Sequence, residues 1–297
     1  YGENPHQKGA FYTDLNNELN WVQHQGKDLS YNNYMDLQSA FDIVNEFKEP
    51  ACSIIKHANP CGFAIGSNLL ESYSKAVSCD PVSYFGGIVS FNNQVCVELA
   101  NELVKPFLEC IIAPSFSDEA LLILKKKKNL RVLSISSNNQ NNNYELRSAS
   151  GGYLLQEIDS FKTENFSDFK IVTNEKPDDN AIEALKLGWK LVRYVKSNAI
   201  VIANKEQILG VGAGQMSRID SVKIAIRKIK EFDLNLDNSI IASDAFFPFP
   251  DCLELASSHG VKSVIQPGGS KNDDEVIKVA NKLGMSMILT SMRHFYH

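Results

Sequence analysis

The chain has 297 residues, a formal net charge of −5, and a composition that is 43% hydrophobic and 22% charged. These values are typical of a soluble globular protein with one large or two medium domains. The acidic balance argues against general nucleic-acid binding, which needs a basic face, although a local cluster of Arg and Lys could still hold a small anion.

Apolar spacing in the first half predicts alternating helices and strands. Leu37, Ala40, Phe41 and Val44 recur at helical spacing and predict a helix over residues 36–47. Strands are predicted at 51–57, 85–91 and 110–113, and further helices at 68–77 and 94–105. Ser117 and the two acids after it are typical of a capped helix start, and the lysines at 125–128 suit the C-terminal end of that helix.

The second half continues the alternation after a polar, compositionally biased stretch at 136–143, which we expect to be an exposed loop. Helices are predicted at 179–195, 217–232 and 273–283, and strands at 199–203, 208–211, 239–242, 261–266 and 285–289. The strands at 199–203 and 208–211 are close enough in sequence to form a hairpin. Strands that alternate with helices predict an α/β layered fold.

Three short segments recur in the same order in the two halves, which suggests an internal duplication. KHAN at 56–59 is matched by KSNA at 196–199, SYFG at 83–86 by DAFFP at 244–248, and IIAP at 111–114 by VIQP at 264–267. Because the matches are short and unevenly spaced, they do not establish the duplication by themselves.

Cysteine usage and apolar runs indicate the compartment. The six cysteines form no CxxC pair, so we interpret them as reduced, buried thiols: Cys52, Cys61, Cys79, Cys96, Cys110 and Cys252. No run approaches the ~20 apolar residues that span a bilayer, and no signal segment opens the chain. We predict a cytoplasmic protein with no membrane partner. Since the chain begins at Tyr1 without Met, we expect it to be a piece of a longer protein.

The stretch IIKHANPCGFAIG at 54–66 was tested first as a metal site. His57, Pro60 and Cys61 resemble half of a zinc deaminase site, which pairs H-x-E with P-C-x-x-C. Position 59 is Asn and position 64 is Ala, so too few ligands remain and zinc is not predicted. A nucleophilic Cys61 has little support, because nothing else in the stretch builds a triad.

Proton chemistry is the second interpretation of the same stretch. A His accepts a proton near neutral pH, and an adjacent Lys stabilises charge that develops nearby. Neighbours on a strand point to opposite faces, so Lys56 and His57 reach one site only at a strand end or kink. We expect the Asn-Pro-Cys-Gly run at 59–62 to supply that kink. The alternative is a surface Lys beside a His satisfied within the fold.

Three further segments each have a functional and a structural interpretation. GVGAGQMSR at 210–218 lacks the dinucleotide-binding pattern but could hold a phosphate or carboxamide near a helix start, with Arg218 as a charged fork; otherwise it is a tight turn with a solvated Arg218. SDAFFPF at 243–249 is core or an apolar slot for a flat ring. The tail at 292–297 is a frayed end unless it folds back into the site.

Nine stretches together resemble the AICAR formyltransferase/IMP cyclohydrolase family, and specifically its formyltransferase domain. They are YGENPHQ at 1–7, SYNN at 30–33, KHANPCG at 56–62, FGG at 85–87, IIAP at 111–114, KSNAIV at 196–201, GAGQMSRIDS at 212–221, SDAFFPF at 243–249 and MRHF at 292–295. The resemblance implies an α/β fold of two duplicated cytidine-deaminase-like halves without zinc, at 1–165 and 166–297. It also implies a homodimer with active sites at the interface, and an IMP cyclohydrolase domain that precedes this region and is absent from this chain.

The resemblance implies that the 5-amino group of AICAR attacks the formyl carbon of 10-formyltetrahydrofolate, a co-substrate, in purine (IMP) biosynthesis. His57 corresponds to the proton acceptor, Lys56 to the group that stabilises developing charge, and Asn198 to a residue that holds the carboxamide and the amine. Asp244 corresponds to a residue near a possible potassium site. The substrate-binding positions implied are Tyr1, Asn33, Phe85, Gly86, Glu109, Lys128, Arg218, Ile219, Phe246, Asp251, Arg293 and His297.

Two other functions stay open at this point. A catalytically silent nucleotide-binding or dimerisation fragment would keep the fold and lose turnover. A metal-free hydrolase acting on a purine-like ring has less support, because the sequence shows no paired carboxylates and no nucleophile triad. Binding of AICAR separates the first two functions from the third, and turnover separates formyl transfer from the silent fragment.

Overall fold

The computed structural model describes residues 1–13, 21–135, 144–160 and 165–297. The loop predicted at 136–143 lies outside the described residues. The described elements of the first half are β1 Trp21–Gln25, α1 Tyr31–Asn45, β2 Ala51–Lys56, β3 Asn59–Ile65, α2 Leu69–Cys79, β4 Ile88–Phe91, α3 Val97–Leu103, β5 Cys110–Ala113, α4 Asp118–Leu124 and β6 Arg131–Ile135.

A hairpin and a second set of elements follow. The hairpin consists of β7 Tyr144–Ala149 and β8 Gly152–Glu157, and a short 3-10 helix lies at Phe166–Asp168. The second half then contains β9 Lys170–Ile171, α5 Asp179–Val192, β10 Ile200–Ala203, β11 Ile208–Gly212, α6 Arg218–Glu231, β12 Ile240–Ser243, α7 Asp251–Ser257, β13 Ser263–Gln266, α8 Asp273–Lys282 and β14 Ser286–Leu289.

The two six-stranded sheets have the same topology. Their strand orders are β1-β6-β5-β4-β2-β3 and β9-β14-β13-β12-β10-β11. In each sheet the second, third and fourth strands are parallel to one another and the remaining pairs are antiparallel. The predicted mixed α/β fold is therefore confirmed at this level. The division of the chain after residue 165 stays a prediction.

Two helices, α1 and α5, lie between the sheets and share one hydrophobic core. Their apolar faces, with Phe41 and Trp189 among the largest buried side chains, belong to a single cluster that joins both halves. The other helices pack outside: α2 to α4 on the first sheet and α6 to α8 on the second. Burying one apolar face of every helix and both faces of each sheet accounts for the layered arrangement.

The sequence predictions for helices α2, α5, α6 and α8 and strands β2, β5, β10 and β14 are confirmed to within about three residues. Helix α1 begins five residues earlier than predicted, because Ser30 and Asn33 form a reciprocal capping box that apolar spacing does not reveal. Strand β4 is shorter than predicted because 85–87 is a turn. The elements without a prediction are β1, β3, β6, the β7–β8 hairpin, β9 and α7.

The predicted kink at 59–62 is wrong, because these residues begin strand β3. The chain reverses earlier, at His57 and Ala58, and β3 runs back antiparallel to β2. A shift of register between Ile54 and Ile55 accommodates Pro60, and β3 lies at the sheet edge, where a proline is tolerated.

The topology clarifies the three repeated segments. IIAP at 111–114 and VIQP at 264–267 occupy equivalent strands, β5 and β13, in the same register. KHAN lies at the end of β2, whereas KSNA precedes β10, the equivalent strand of the second sheet. SYFG precedes β4, whereas DAFFP follows the equivalent strand β12. Only one of the three sequence matches therefore lies at equivalent positions.

The predictions about the cysteines and about membrane-spanning segments can be compared with the structure. All six cysteines are unpaired, and four are buried, but Cys96 is exposed and Cys61 only partly covered, so the prediction of six buried thiols is wrong for these two. Within the residues described, none of the helices has both the length and the apolar character needed to span a bilayer.

Charged contacts cross between the halves near the paired sheet edges. Asp80, the C-cap residue of α2, accepts from Ser83 and lies 3.1 Å from the Lys228 amine of α6. Burial opposes ionisation of this carboxyl, but the bonds from Ser83 and the charge of Lys228 outweigh it and lower the pKa of Asp80. Asp80 therefore stabilises the folded chain in its ionised form.

We predict that Asp80→Asn reduces the acid sensitivity of folding. A lowered folded-state pKa means that Asp80 contributes its full stability above the unfolded-state value of about 3.9 and loses it as the pH falls through the lower folded value. Urea midpoints measured from pH 7 to pH 3 should fall less steeply for Asp80→Asn than for the unaltered chain. Lys228→Gln should flatten the profile similarly, and unchanged slopes in both variants would contradict the assignment.

Candidate functional site

Lys56 and His57 are presented by a two-residue hairpin turn. His57 and Ala58 join β2 to β3 with φ of 54° and 57°, so both occupy the left-handed region. Such φ values at both central positions define a type I′ turn, which usually takes Asn-Gly. Non-glycine residues pay roughly 1–2 kcal/mol each for this conformation. His57 is exposed, Lys56 partly buried, and the Asp36 carboxylate accepts the Ala58 amide at 2.7 Å.

The Lys56 amine lies against the turn that precedes β4. Its Nζ donates to the Phe85 carbonyl, and a Cβ added at Gly86 would lie 3.5 Å from the same Nζ. Gly86 has φ +68°, and its amide donates to the Phe107 carbonyl. The exposed rings of Phe85 and Phe107 are 5.4 Å apart. The structure thus brings Lys56, Phe85 and Gly86 together, with an apolar pair of rings beside the amine.

Asn198 is oriented by a buried ion pair in the second half. The Arg218 guanidinium pairs with the fully buried Asp244 and donates to Asn198 Oδ1 at 2.8 Å. Asn198 Nδ2 donates to the Gln215 carbonyl at 2.9 Å, and Ser197 Oγ donates to the second oxygen of Asp244. Arg218 is therefore neither the solvated side chain of the structural interpretation nor a free charged fork.

Asn59 connects the two groups. Its Nδ2 donates to the His57 carbonyl at 3.1 Å, and its Oδ1 accepts the Lys196 amide at 3.0 Å. One side chain thus holds the turn of the first half against the segment of the second half that carries Asn198. The Lys56 turn and the Asn198 segment form a single candidate site at the junction of the two sheets.

The C-terminal tail folds back onto the same segment. The Ser197 amide donates to the Tyr296 carbonyl at 2.9 Å, and the Lys196 amine donates to the His297 carbonyl at 2.9 Å. Trp189 lies against His294, which also pairs with Asp159. The tail is therefore not frayed, although Arg293 and His297 keep exposed side chains.

Close packing and a turn explain the three glycines of the segment at 210–218. A Cβ at Gly212 would lie 2.0 Å from the Ser221 carbonyl oxygen, and one at Gly210 would lie 2.5 Å from that of Ala225, so both permit α6 to cross β11 closely. Gly214 has φ +66° and provides the turn before α6. The segment is a close helix–strand crossing, and its phosphate or carboxamide role stays a prediction.

The other predicted residues have partners of their own. Glu109 is bound by Arg131 at 2.7 Å, its amide donates to the Gly87 carbonyl, and the Asn33 oxygen caps α1. Phe247 is buried core, whereas its neighbour Phe246 is 38% exposed, and a slot for a flat ring stays a prediction. Ile219 packs partly into the second-half core, and Asp251 begins α7.

Within the part of the chain that the structure describes, Tyr1 and Lys128 make no hydrogen bond or ion pair with Lys56 or Asn198. Tyr1 is 65% exposed, and Lys128 is exposed beyond the end of α4. Among the described residues, no group of three or more His, Cys, Asp and Glu side chains could hold a metal ion. Burial raises the pKa of Cys61 to about 12, which leaves almost no thiolate for nucleophilic attack near neutral pH.

Comparison with known proteins identifies the family. The sequence profile described as "AICARFT/IMPCHase bienzyme" matches residues 1–228. The chain belongs to the AICARFT/IMPCHase bienzyme family. It is 48% identical over 302 residues to a protein of Desulfitobacterium hafniense (strain DSM 10664 / DCB-2) named bifunctional purine biosynthesis protein PurH. Relatives of the same name from Petrotoga mobilis and Aquifex aeolicus are 47% and 46% identical over 300 and 301 residues. All of this chain is covered, but only 58% of each relative.

Several residues of this family member take part in the site without having been singled out from the sequence. Asn59, Phe107, Ser197 and Gln215 each contact a predicted site residue, and Asp36 bonds to Ala58 in the turn that presents His57. Asn59 lay inside a recognised motif, but its bond to Lys196 spans 137 positions. Contacts at such separations depend on the tertiary fold, so local spacing gave no signal for them.

We predict that His57→Gly stabilises the chain by about 1 kcal/mol, because glycine adopts φ of 54° without steric cost. His57→Ala is the reference, since alanine keeps the cost. Ala58→Gly should be near neutral: the same relief is offset by the loss of a buried methyl group, which is worth about 0.8 kcal/mol. Urea unfolding of the three variants measures the differences, and equal midpoints for Gly and Ala at position 57 would contradict the strain.

Proposed function

We propose that this chain carries the AICAR formyltransferase activity of its family and serves in purine (IMP) biosynthesis. The reaction moves the formyl group of 10-formyltetrahydrofolate, as co-substrate, to the 5-amino group of AICAR. The observation that carries the proposal is the exposed turn that presents Lys56 and His57 and is tied through Asn59 to the segment bearing Asn198. The relatives named as bifunctional purine biosynthesis proteins support the pathway.

The chemistry needs a base, a cation and an amide in one place. As the amine attacks the formyl carbon its N–H becomes acidic, and His57 accepts that proton. Lys56 stabilises the oxyanion that forms as the formyl carbonyl is attacked. Collapse of that oxyanion breaks the bond from the formyl carbon to the folate nitrogen, which takes up a proton beside Lys56 as tetrahydrofolate leaves. Asn198, whose oxygen is bound by Arg218, orients the substrate carboxamide. Phe85 and Phe107 offer exposed rings for a flat heteroaromatic ligand beside the Lys56 amine.

We propose that a monovalent cation binds near Asp244 but not directly to its carboxylate. Both carboxylate oxygens are already bound, one by Arg218 and the other by the Ser197 hydroxyl. An internally neutralised carboxylate is a poor direct ligand, so potassium would be held by neighbouring oxygens rather than by Asp244. No zinc takes part in the proposed reaction, which needs only proton transfer and charge stabilisation.

Internal duplication of a cytidine-deaminase-like unit is proposed for the fold. The identical order and direction of strands in the two sheets support it. Each sheet also has glycine where a helix crosses its edge strand: a Cβ at Gly62 of β3 would lie 2.2 Å from the Ala76 carbonyl oxygen of α2, as Gly212 of β11 does with α6. The two halves thus share a packing constraint as well as a topology.

The β7–β8 hairpin supports a homodimer with active sites at its interface. The hairpin pairs with no other strand among those described, and an isolated hairpin is marginal in water. One of its faces exposes four large apolar side chains, each 55–73% accessible: Tyr144, Leu146, Tyr153 and Leu155. Burial and the charge of Arg147, which lies on the opposite face of the hairpin, lower the pKa of Lys196. A second copy of the chain would bury the apolar face of each hairpin.

The longer relatives are called bifunctional, and we propose that the IMP cyclohydrolase domain precedes the region matched here. The competing proposal is a catalytically silent fragment that binds nucleotide or dimerises. Formyl transfer by the purified chain decides between the two, because the silent fragment would bind AICAR without turnover.

We predict that the purified chain forms tetrahydrofolate from AICAR and 10-formyltetrahydrofolate, and that His57→Ala lowers kcat by about 10²–10⁴-fold through loss of the base. Lys56→Met should also lower kcat, because it removes the positive charge near the oxyanion. Ultraviolet absorbance of tetrahydrofolate follows the reaction. The matched control is His259→Ala, which removes a histidine that follows the C-terminal end of α7 and bonds to the Leu255 carbonyl. AICAR binding without turnover would favour the silent fragment.

We also predict that Leu155→Glu shifts the chain from dimer to monomer in sedimentation velocity, since it places a charge on the apolar hairpin face. The control is Leu122→Glu on α4, where the side chain is 64% exposed compared with 66% for Leu155. A monomeric unaltered chain, or equal behaviour of both variants, would contradict the assignment of the hairpin to the interface.

A further inference from the structure

The position of the Asp36 carboxylate is set by helix α1 rather than by the turn that it contacts. Leu37, Ala40 and Phe41 bury the adjacent face of α1, and the helix packs against strands β2 and β4. The capping box at Ser30 fixes the start of the helix one turn earlier. Asp36 therefore projects from a rigid element toward the end of β2.

From that helix, Asp36 reaches the backbone of the strained turn. Its Oδ1 accepts the Ala58 amide at 2.7 Å, across 22 positions of sequence. Burial raises the pKa of Asp36, while the amides of Ala58 and His57 and the charges of His57 and Lys56 act in the opposite direction. The carboxylate thus accepts the Ala58 amide, and the charges of His57 and Lys56 offset part of the effect of its burial.

A turn with two left-handed non-glycine residues needs such an external restraint. The usual solution, Asn-Gly, reaches these φ values at little cost, whereas His-Ala does not. Released from Asp36, the turn could relax toward conformations with negative φ, which would redirect the His57 side chain. Strained residues persist where the surrounding structure over-determines them.

We propose that Asp36 is a positioning residue for formyl transfer, which clamps the His57–Ala58 turn so that Lys56 and His57 face one reacting carbon. This inference rests on the proposed function. Asp36 does not touch the substrate; it acts through the backbone of the turn and through its negative charge beside the two catalytic side chains. A misplacement of about 1 Å in such a pair can cost on the order of 10²-fold in rate.

Two substitutions separate the clamp from the charge. Asp36→Ala removes both, whereas Asp36→Asn keeps an oxygen that accepts the Ala58 amide and removes the charge. Asp42→Asn, on the same helix but bound to Gln38 and not to the turn, is the matched control. Amide hydrogen exchange of Ala58, measured by NMR, reports the clamp without any need for turnover.

We expect Asp36→Ala to raise the Ala58 exchange rate by about tenfold or more and to lower kcat by about 10–100-fold, with KM for both substrates changed less than about threefold. Asp36→Asn should retain most of the protection and lose less kcat. Asp42→Asn should leave both quantities unchanged. If Asp36→Ala does not fold, Asp36→Ser tests the clamp through exchange, because its shorter side chain cannot reach the Ala58 amide as Asp36 does, and Asp36→Asn tests the charge through kcat.

Two results would overturn the inference. Unchanged Ala58 exchange in Asp36→Ala would exclude the clamp. Faster exchange with kcat per folded molecule within about twofold of the unaltered chain would make the bond purely structural. Absence of transfer in the unaltered chain is a different result: it would overturn the proposed function and the catalytic part of this inference together, while the exchange rate would still support or exclude the clamp itself.

Discussion

The part of the candidate site that the second half contributes depends on the ion pair between Arg218 and Asp244. Both side chains are buried, and removing one partner of such a pair typically costs about 3–5 kcal/mol, because the other charge is left without compensation. Arg218, held in this way, directs a second nitrogen to Asn198, and Asp244 uses its remaining oxygen for Ser197. The segment that carries Ser197 and Asn198 is therefore held in place by an ion pair that solvent does not reach.

The seam between the sheets determines what this segment meets. Strands β3 and β11 are the edges of their sheets, and the Ile65 amide donates to the Glu206 carbonyl at 2.8 Å across the seam. An uncovered edge invites pairing with other chains, so each half protects the edge of the other. The β2–β3 hairpin consequently stands at the seam, and its turn comes to lie beside Lys196. The Asn59 side chain fixes this contact by accepting the Lys196 amide.

Sequence reasoning recovered most helices and the parallel strands except β6, because their apolar periodicity is local. It failed at β3, where Pro60 and Gly62 resemble a kink: the proline is tolerated at a sheet edge beside a bulge, and the glycine is required by the crossing of α2. Local reasoning singled out Lys56 and His57, the resemblance to a family added Asn198, and the structure links them through Asn59. Asp36 could not be found locally, because its role depends on a contact between a helix and a turn.

Each half contributes only part of the candidate site. The contacts of the described residues do not bring Tyr1 or Lys128, which the resemblance predicts to bind substrate, to the Lys56 turn. The β7–β8 hairpin exposes an apolar face. A two-fold symmetric partner buries the same surface on both copies and repeats every contact twice. The proposed dimer would thus cover the apolar faces of both hairpins at once.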